Sequence, residues 1–175
     1  PKIGFVKPLS SLDSLKESLK NLGRYNALSV AIIRPDTTIV WNFGSANDSS
    51  LYRVGSVTKS LTGLAILKLV EEGKVSLNDT LVNLIPKLPF NNKFKEPVLL
   101  KHLLEASAGF VSYRDGDFII DPSFDTSSVR DLLLSNPYQF KTSWRPGTFT
   151  AYHTAGPLIS GYIIEDKSNM SYSEF

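Results

Sequence analysis

Cysteine is absent from this sequence, which excludes disulfides and thiolate metal sites. Histidine is nearly as scarce. His102 and His153 are the only two, so no metal centre is expected and no cofactor is called for. An excess of one charge is missing too: 19 Lys and Arg stand against 17 Asp and Glu, a net +2, and the basic residues are interspersed among acidic ones. Neither nucleic acid nor an anionic membrane is indicated as a partner. No apolar run reaches the length of a membrane span, and no charged-then-apolar leader follows Pro1. Glycine-rich phosphate cradles, repeats and low-complexity tracts are also lacking. What remains is the composition of a globular unit, 42% apolar and 21% charged over 175 residues, a length that buries about 70% of its unfolded surface. Its chemistry must come from hydroxyl, amine and phenol groups.

The chain divides by pattern into helices and one hairpin. Leu12, Leu15, Leu19 and Leu22 mark an amphipathic helix over residues 11–22, ended by Gly23, whose apolar stripe is expected to face a core. Strands over residues 27–34 and 37–43 flank Arg34-Pro35-Asp36-Thr37, a hairpin. A second helix follows Ser56: Leu61, Leu64, Ala65, Leu67, Leu69 and Val70 recur at three- and four-residue spacing, and Gly73 supplies a left-handed stop. An irregular stretch through Pro86, Pro89 and Pro97 leads to a short helix around His102. Asp125 or Thr126 caps an expected helix over residues 129–134, stopped by Asn136-Pro137. Residues 155–166 read as a last helix with Leu158, Ile159, Tyr162 and Ile163 inward. Ser45-Ala46-Asn47 and Ser76-Leu77-Asn78 read as turns.

Ser56-Val57-Thr58-Lys59 carries the strongest chemical signal, the only Ser-x-x-Lys in the chain. On a helix, positions i and i+3 share a face, so the lysine amine reaches the serine hydroxyl and can pair with it as base to nucleophile. A helix start also lowers the cost of a nearby oxyanion. A lysine is protonated in neutral water, so Lys59 needs desolvation or a second cation to act as a base. The other reading makes Ser56 an N-cap and Lys59 a solvated first-turn residue.

The wider phrase, Leu51-Tyr52-Arg53-Val54-Gly55-Ser56-Val57-Thr58-Lys59 followed by Glu72-Gly73-Lys74-Val75-Ser76-Leu77-Asn78-Asp79, resembles the serine beta-lactamase and penicillin-binding protein superfamily. The resemblance is to the class C beta-lactamase-like branch, with its D-alanyl-D-alanine carboxypeptidases, D-aminopeptidases and esterases. Residues 98–110 are similar to the family helix ending in His-Thr-Ser-Gly; Gly109 is kept, while Ala106 stands at the usual histidine. His102 lies one turn earlier and reads as structural or solvated. Arg145-Pro146-Gly147 through Tyr152-His153-Thr154-Ala155-Gly156 is similar to the Pro-Gly-x-x-x-x-Tyr-x-Asn-x-Gly element. Its tyrosine falls 96 residues after Ser56. The resemblance implies catalytic Ser56, Lys59 and Tyr152, with Tyr152 passing a proton, and Thr154 as a substrate-binding position in place of asparagine. A hydroxyl cannot copy a carboxamide's paired donor and acceptor, so substrate amide recognition is expected to differ.

The implied fold is α/β of the α+β type: a helical lobe plus part of an antiparallel sheet flanked by helices, incomplete at its C-terminus. Residues 1–55 would supply the helix and hairpin of the α/β lobe, 56–154 the mainly helical lobe, and 155–175 the return toward the α/β lobe, with the active site in the cleft between lobes. Tyr172-Ser173-Glu174-Phe175 resembles the start of a further helix. The family's Lys-Thr-Gly or His-x-Gly strand is not found; Lys141-Thr142-Ser143 precedes Tyr152 and is rejected for that reason. With that strand goes one oxyanion donor, so activity is expected to require a second chain, or a fuller version of this one, carrying the C-terminal half. The resemblance implies a serine hydrolase taking a small-molecule or peptide acyl substrate by an amide, beta-lactam or ester bond. Its alternative is a non-catalytic penicillin- or peptide-binding or scaffold relative. Family members work on both sides of the membrane, and the sequence assigns this chain to neither.

Overall fold

The computed structural model describes residues 11–88, 90–110, 133 and 140–175. The helix expected over residues 129–134 lies outside them except for Leu133, which is helical and buried. Two compact units emerge, Pro1–Arg53 and Val54–Phe175.

In the first unit, α1 (Leu12–Lys20) begins where the Ser11 side chain accepts from the Ser14 N–H, the hydroxyl satisfying a donor that the first turn leaves unpaired. β1 (Ala27–Ile33) and β2 (Thr38–Gly44) pair antiparallel, with Ala27 opposite Gly44 and Ile33 opposite Thr38. The turn closes through reciprocal bonds between Arg34 and Thr37. Gly44 takes φ +66°, and a Cβ there would lie 2.3 Å from the Asn26 carbonyl oxygen; only glycine fits. The α1 stripe falls short of the core face expected of it. Leu12, Leu15 and Leu19 are half-buried and Leu22 is exposed, because one helix and a two-stranded sheet offer too little surface to enclose it. Tyr25 ties the helix end to the hairpin, its hydroxyl donating to the Leu19 carbonyl and its ring edge-on to Phe43.

The second unit opens with a single 3-10 turn, Gly55–Val57, that runs into α2 (Thr58–Glu71). Then follow α3 (Leu81–Leu84), β3 (Phe90–Asn91), α4 (Leu100–Leu104), β4 (Phe140–Lys141) and α5 (Ala155–Ser168). β3 and β4 pair in parallel, Phe90 with Phe140 and Asn91 with Lys141. Neither α3 nor this pair is legible in the proline-rich stretch, since four- and two-residue elements show no period. α5 packs on α2 and α4 around Ile66, Leu69, Leu103, Ile159 and Ile163, each such side chain worth about 1.5–3 kcal/mol on burial. Only part of the recurring apolar set on α2 packs inward. Thr62, Ile66 and Leu69 are buried, while Leu61, Leu64 and Leu67 are exposed. This helix is apolar on all sides, so its periodicity does not single out the face that packs.

α2 and α4 end alike, with a bond spanning five residues around one spanning three. Lys74 N–H donates to Leu69 O and Gly73 N–H to Val70 O; Ser107 N–H donates to His102 O and Ala106 N–H to Leu103 O. The left-handed residue is Gly73 (φ +68°) in one case and Ala106 (φ +53°) in the other. A Cβ is disfavoured by about 1–2 kcal/mol in that conformation. We expect Gly73→Ala to lower stability and Ala106→Gly to raise it, each by about 1 kcal/mol, measured by urea unfolding.

Candidate active site

Gly55, at φ +52°, turns the chain into the 3-10 turn, and the helix that follows is unbroken from Ser56 to Lys59. Three residues apart on one face, the pair meets: the Lys59 Nζ donates to the Ser56 Oγ at 3.0 Å. The Ser56 hydroxyl caps neither the 3-10 turn nor α2. It lies instead 2.6 Å from the Tyr152 hydroxyl.

Tyr152 reaches that place because its segment is strapped to the end of α4. Ser143 N–H donates to Gly109 O, Gly147 N–H to Ser107 O and Ala151 N–H to Ala106 O. Gly109 permits the approach; its Cβ would stand 2.3 Å from the Trp144 carbonyl oxygen. The next residue anchors the strap from inside. His153 is buried, its Nδ1 accepts from the Gly156 N–H at 3.0 Å, and its ring meets Phe110 edge to face. Gly156 makes room for it, since a Cβ would come within 2.7 Å of the imidazole Cε1. Tyr152 is thus held while remaining 65% exposed, with the Lys59 Nζ 5.0 Å from its ring centroid.

The hydrogen bond from Lys59 holds the Tyr152 phenol below its usual range, helped by the bond with Ser56 and by the Lys59 charge. Both donors favour the phenolate, so removing one should raise the pKa toward the ordinary value of about 10. We expect Lys59→Met to move the Tyr152 titration to higher pH, read from the ring carbon resonance of labelled tyrosine.

Of the residues expected in the site, the structure brings together Ser56, Lys59 and Tyr152. Thr154 is half-buried at the start of α5, and its side chain makes no capping bond. His102 is structural: its Nδ1 accepts from the Leu99 N–H, and Gly147 packs on its ring. Thr142 is buried with its hydroxyl donating to Asn92 Oδ1. Sequence reasoning missed His153 and Ser160. Both are buried in the α5 region, and the available signal was the position of His153 three residues before a helix-opening glycine. Among the described residues, no group of His, Asp and Glu side chains could hold a metal ion, and no helix is long and apolar enough to cross a membrane.

Helices with a small antiparallel sheet fit the fold of the serine beta-lactamase and penicillin-binding protein superfamily. The chain belongs to the Beta-lactamase family, whose model matches residues 15–175. It is 29% identical over 132 residues to "Protein flp" of Staphylococcus aureus (strain MW2), covering 74% of this chain and 26% of that protein. It is 25% identical to "Penicillin-binding protein 4*" of Bacillus subtilis (strain 168), covering 94% and 37%. Among solved structures, the octameric penicillin-binding protein homologue from Pyrococcus abyssi superposes with a TM-score of 0.77 at 27% identity, covering 96% of this chain and 41% of that one. The chain therefore spans from 26% to 41% of these relatives' lengths.

Proposed function

We propose that the protein is a serine hydrolase acting by acyl transfer to Ser56 on an amide, beta-lactam or ester bond. The observation that carries this reading is the 2.6 Å contact of the Ser56 Oγ with the Tyr152 hydroxyl while Lys59 donates to the same oxygen. Ser56 Oγ attacks the substrate carbonyl carbon, and Tyr152, held acidic by Lys59, accepts the hydroxyl proton as a phenolate base. The Ser56 N–H holds the tetrahedral oxyanion. As the carbonyl–leaving-group bond breaks, Tyr152 returns the proton to the leaving group. Water then cleaves the acyl ester and regenerates the hydroxyl.

A second oxyanion donor completes such a site in the resembled family, on a Lys-Thr-Gly or His-x-Gly strand, and neither phrase occurs in this sequence. The reading therefore includes a C-terminal half, on this chain or another, that brings such a donor beside Ser56. The competing reading is a receptor that is acylated without turnover, favoured by Thr154 in place of a carboxamide.

Exposure to a fluorescent penicillin and to a fluorophosphonate separates them, with and without a polypeptide carrying a Lys-Thr-Gly or His-x-Gly strand. Rapid labelling with steady product release is the expected result. Stable stoichiometric labelling would mark a receptor, and absence of labelling under every condition would mark a scaffold.

A further inference from the structure

His153 is the more enclosed of the two histidines, 2% exposed against 8% for His102, and the acyl-transfer scheme gives it no task. Its surroundings select one charge state. Nδ1 accepts from the Gly156 N–H at 3.0 Å, so that nitrogen carries no proton and the single proton of the neutral ring sits on Nε2. Nε2 is buried and meets no acceptor, so no partner stands ready to stabilise a charged ring. A second proton would turn Nδ1 into a donor facing a donor. It would also set a cation at the start of α5, where the first-turn N–H groups already carry partial positive charge. Lys59 of α2 is the charged group that acts on the ring, and its charge adds to burial in holding the imidazole below its usual range. The other faces bring none among the described residues. Phe110 presents a ring edge and α5 the Gly156 backbone, while Glu105, at the end of α4, accepts from the Ser107 hydroxyl and acts on His102. The remaining titratable neighbour is the Tyr152 phenol, one residue away and turned toward Ser56.

We infer that His153 is a positioning residue for Tyr152: its uncharged ring holds the phenol at Ser56, and protonation of that ring withdraws the phenol from the nucleophile. Tyr152 lies between two ties, Ala151 N–H to the Ala106 carbonyl on one side and the His153 ring to the Gly156 N–H on the other. Charging the imidazole breaks the second and leaves the phenol held from one side only. The folded ring titrates below the unfolded one, so the stability that this tie contributes is fully present above about pH 6.5 and is lost as pH falls through the lower folded value. Loss of acylation toward acid follows from the same step. That consequence rests on the acyl transfer proposed above; the displacement of the phenol does not.

The test follows the labelled rings of histidine and tyrosine by NMR as pH is lowered from neutral, in the parent protein, His153→Asn and His153→Leu. Asparagine offers Oδ1 where Nδ1 stands and accepts the same bond without titrating; leucine offers no acceptor. The Tyr152 resonance is identified by its loss in Tyr152→Phe. The expected result in the parent is an Nε2–H tautomer for His153 and one acid step shared by its ring and the Tyr152 ring. In His153→Asn that step should vanish from Tyr152 while His102 still titrates, and labelling by fluorescent penicillin should stay near the parent rate. In His153→Leu the Tyr152 resonance should be displaced at every pH and labelling should slow about tenfold, the scale of one lost hydrogen bond. An Nδ1–H tautomer, a Tyr152 signal that stays put while His153 charges, an imidazole that stays neutral until the chain unfolds, or an asparagine variant as impaired as the leucine one would overturn the inference. The ring resonances need no substrate. Absence of labelling with the shared step intact would therefore sink the hydrolase reading alone.

Discussion

Ser56→Ala should abolish covalent labelling by a fluorophosphonate or fluorescent penicillin while leaving the fold intact. The loss is complete because the lost atom is the one proposed to form the acyl bond, and among the described residues no other hydroxyl bonds both Lys59 and Tyr152. The fold survives because Ser56 is exposed and caps neither the turn nor the helix that contain it. Circular dichroism and the urea midpoint should therefore match the parent, since an exposed substitution of this kind usually changes stability by less than about 0.5 kcal/mol. Undiminished labelling of the variant would remove Ser56 from the role of nucleophile.

Tyr152→Phe should slow acylation at least about 100-fold, the lower range for general acid–base catalysis. The substitution removes one oxygen and leaves the ring, so the strap through Ala151 and the burial of His153 are retained. The bond that Lys59 Nζ donates to the Ser56 Oγ would remain. The pH profile adds a second readout. The phenol is held below its usual range chiefly by the bond from Lys59, so the rising limb of acylation against pH should lie below the ordinary phenol titration and vanish in the phenylalanine variant. A loss much smaller than 100-fold would assign the proton to Lys59 alone.

The parts of this molecule that were legible in advance are those written locally. Ser56 and Lys59 are three residues apart on a helix, so their meeting follows from helical geometry; the hairpin follows from two β-rich runs around Pro35-Asp36; the helix stops follow from Gly23 and Gly73. Tyr152 was placed by resemblance, because nothing across a separation of 96 positions states by local pattern that the two hydroxyls meet. The α2 face was not legible, since Leu61, Leu64 and Leu67 compete with Ile66 and Leu69 for the same periodicity, and the packing of α5 decides between them. His153 escaped notice for a related reason. A histidine's neutral, anchored state depends on the backbone N–H it accepts and the ring it packs against, which are tertiary facts.

Neighbouring side chains at 152 and 153 face opposite ways, a phenol outward beside the nucleophile and an imidazole inward against Phe110. Gly156 keeps that division: a Cβ there would come within 2.7 Å of the imidazole Cε1, so any larger residue would press on the inward ring and, through it, on the segment that presents the phenol.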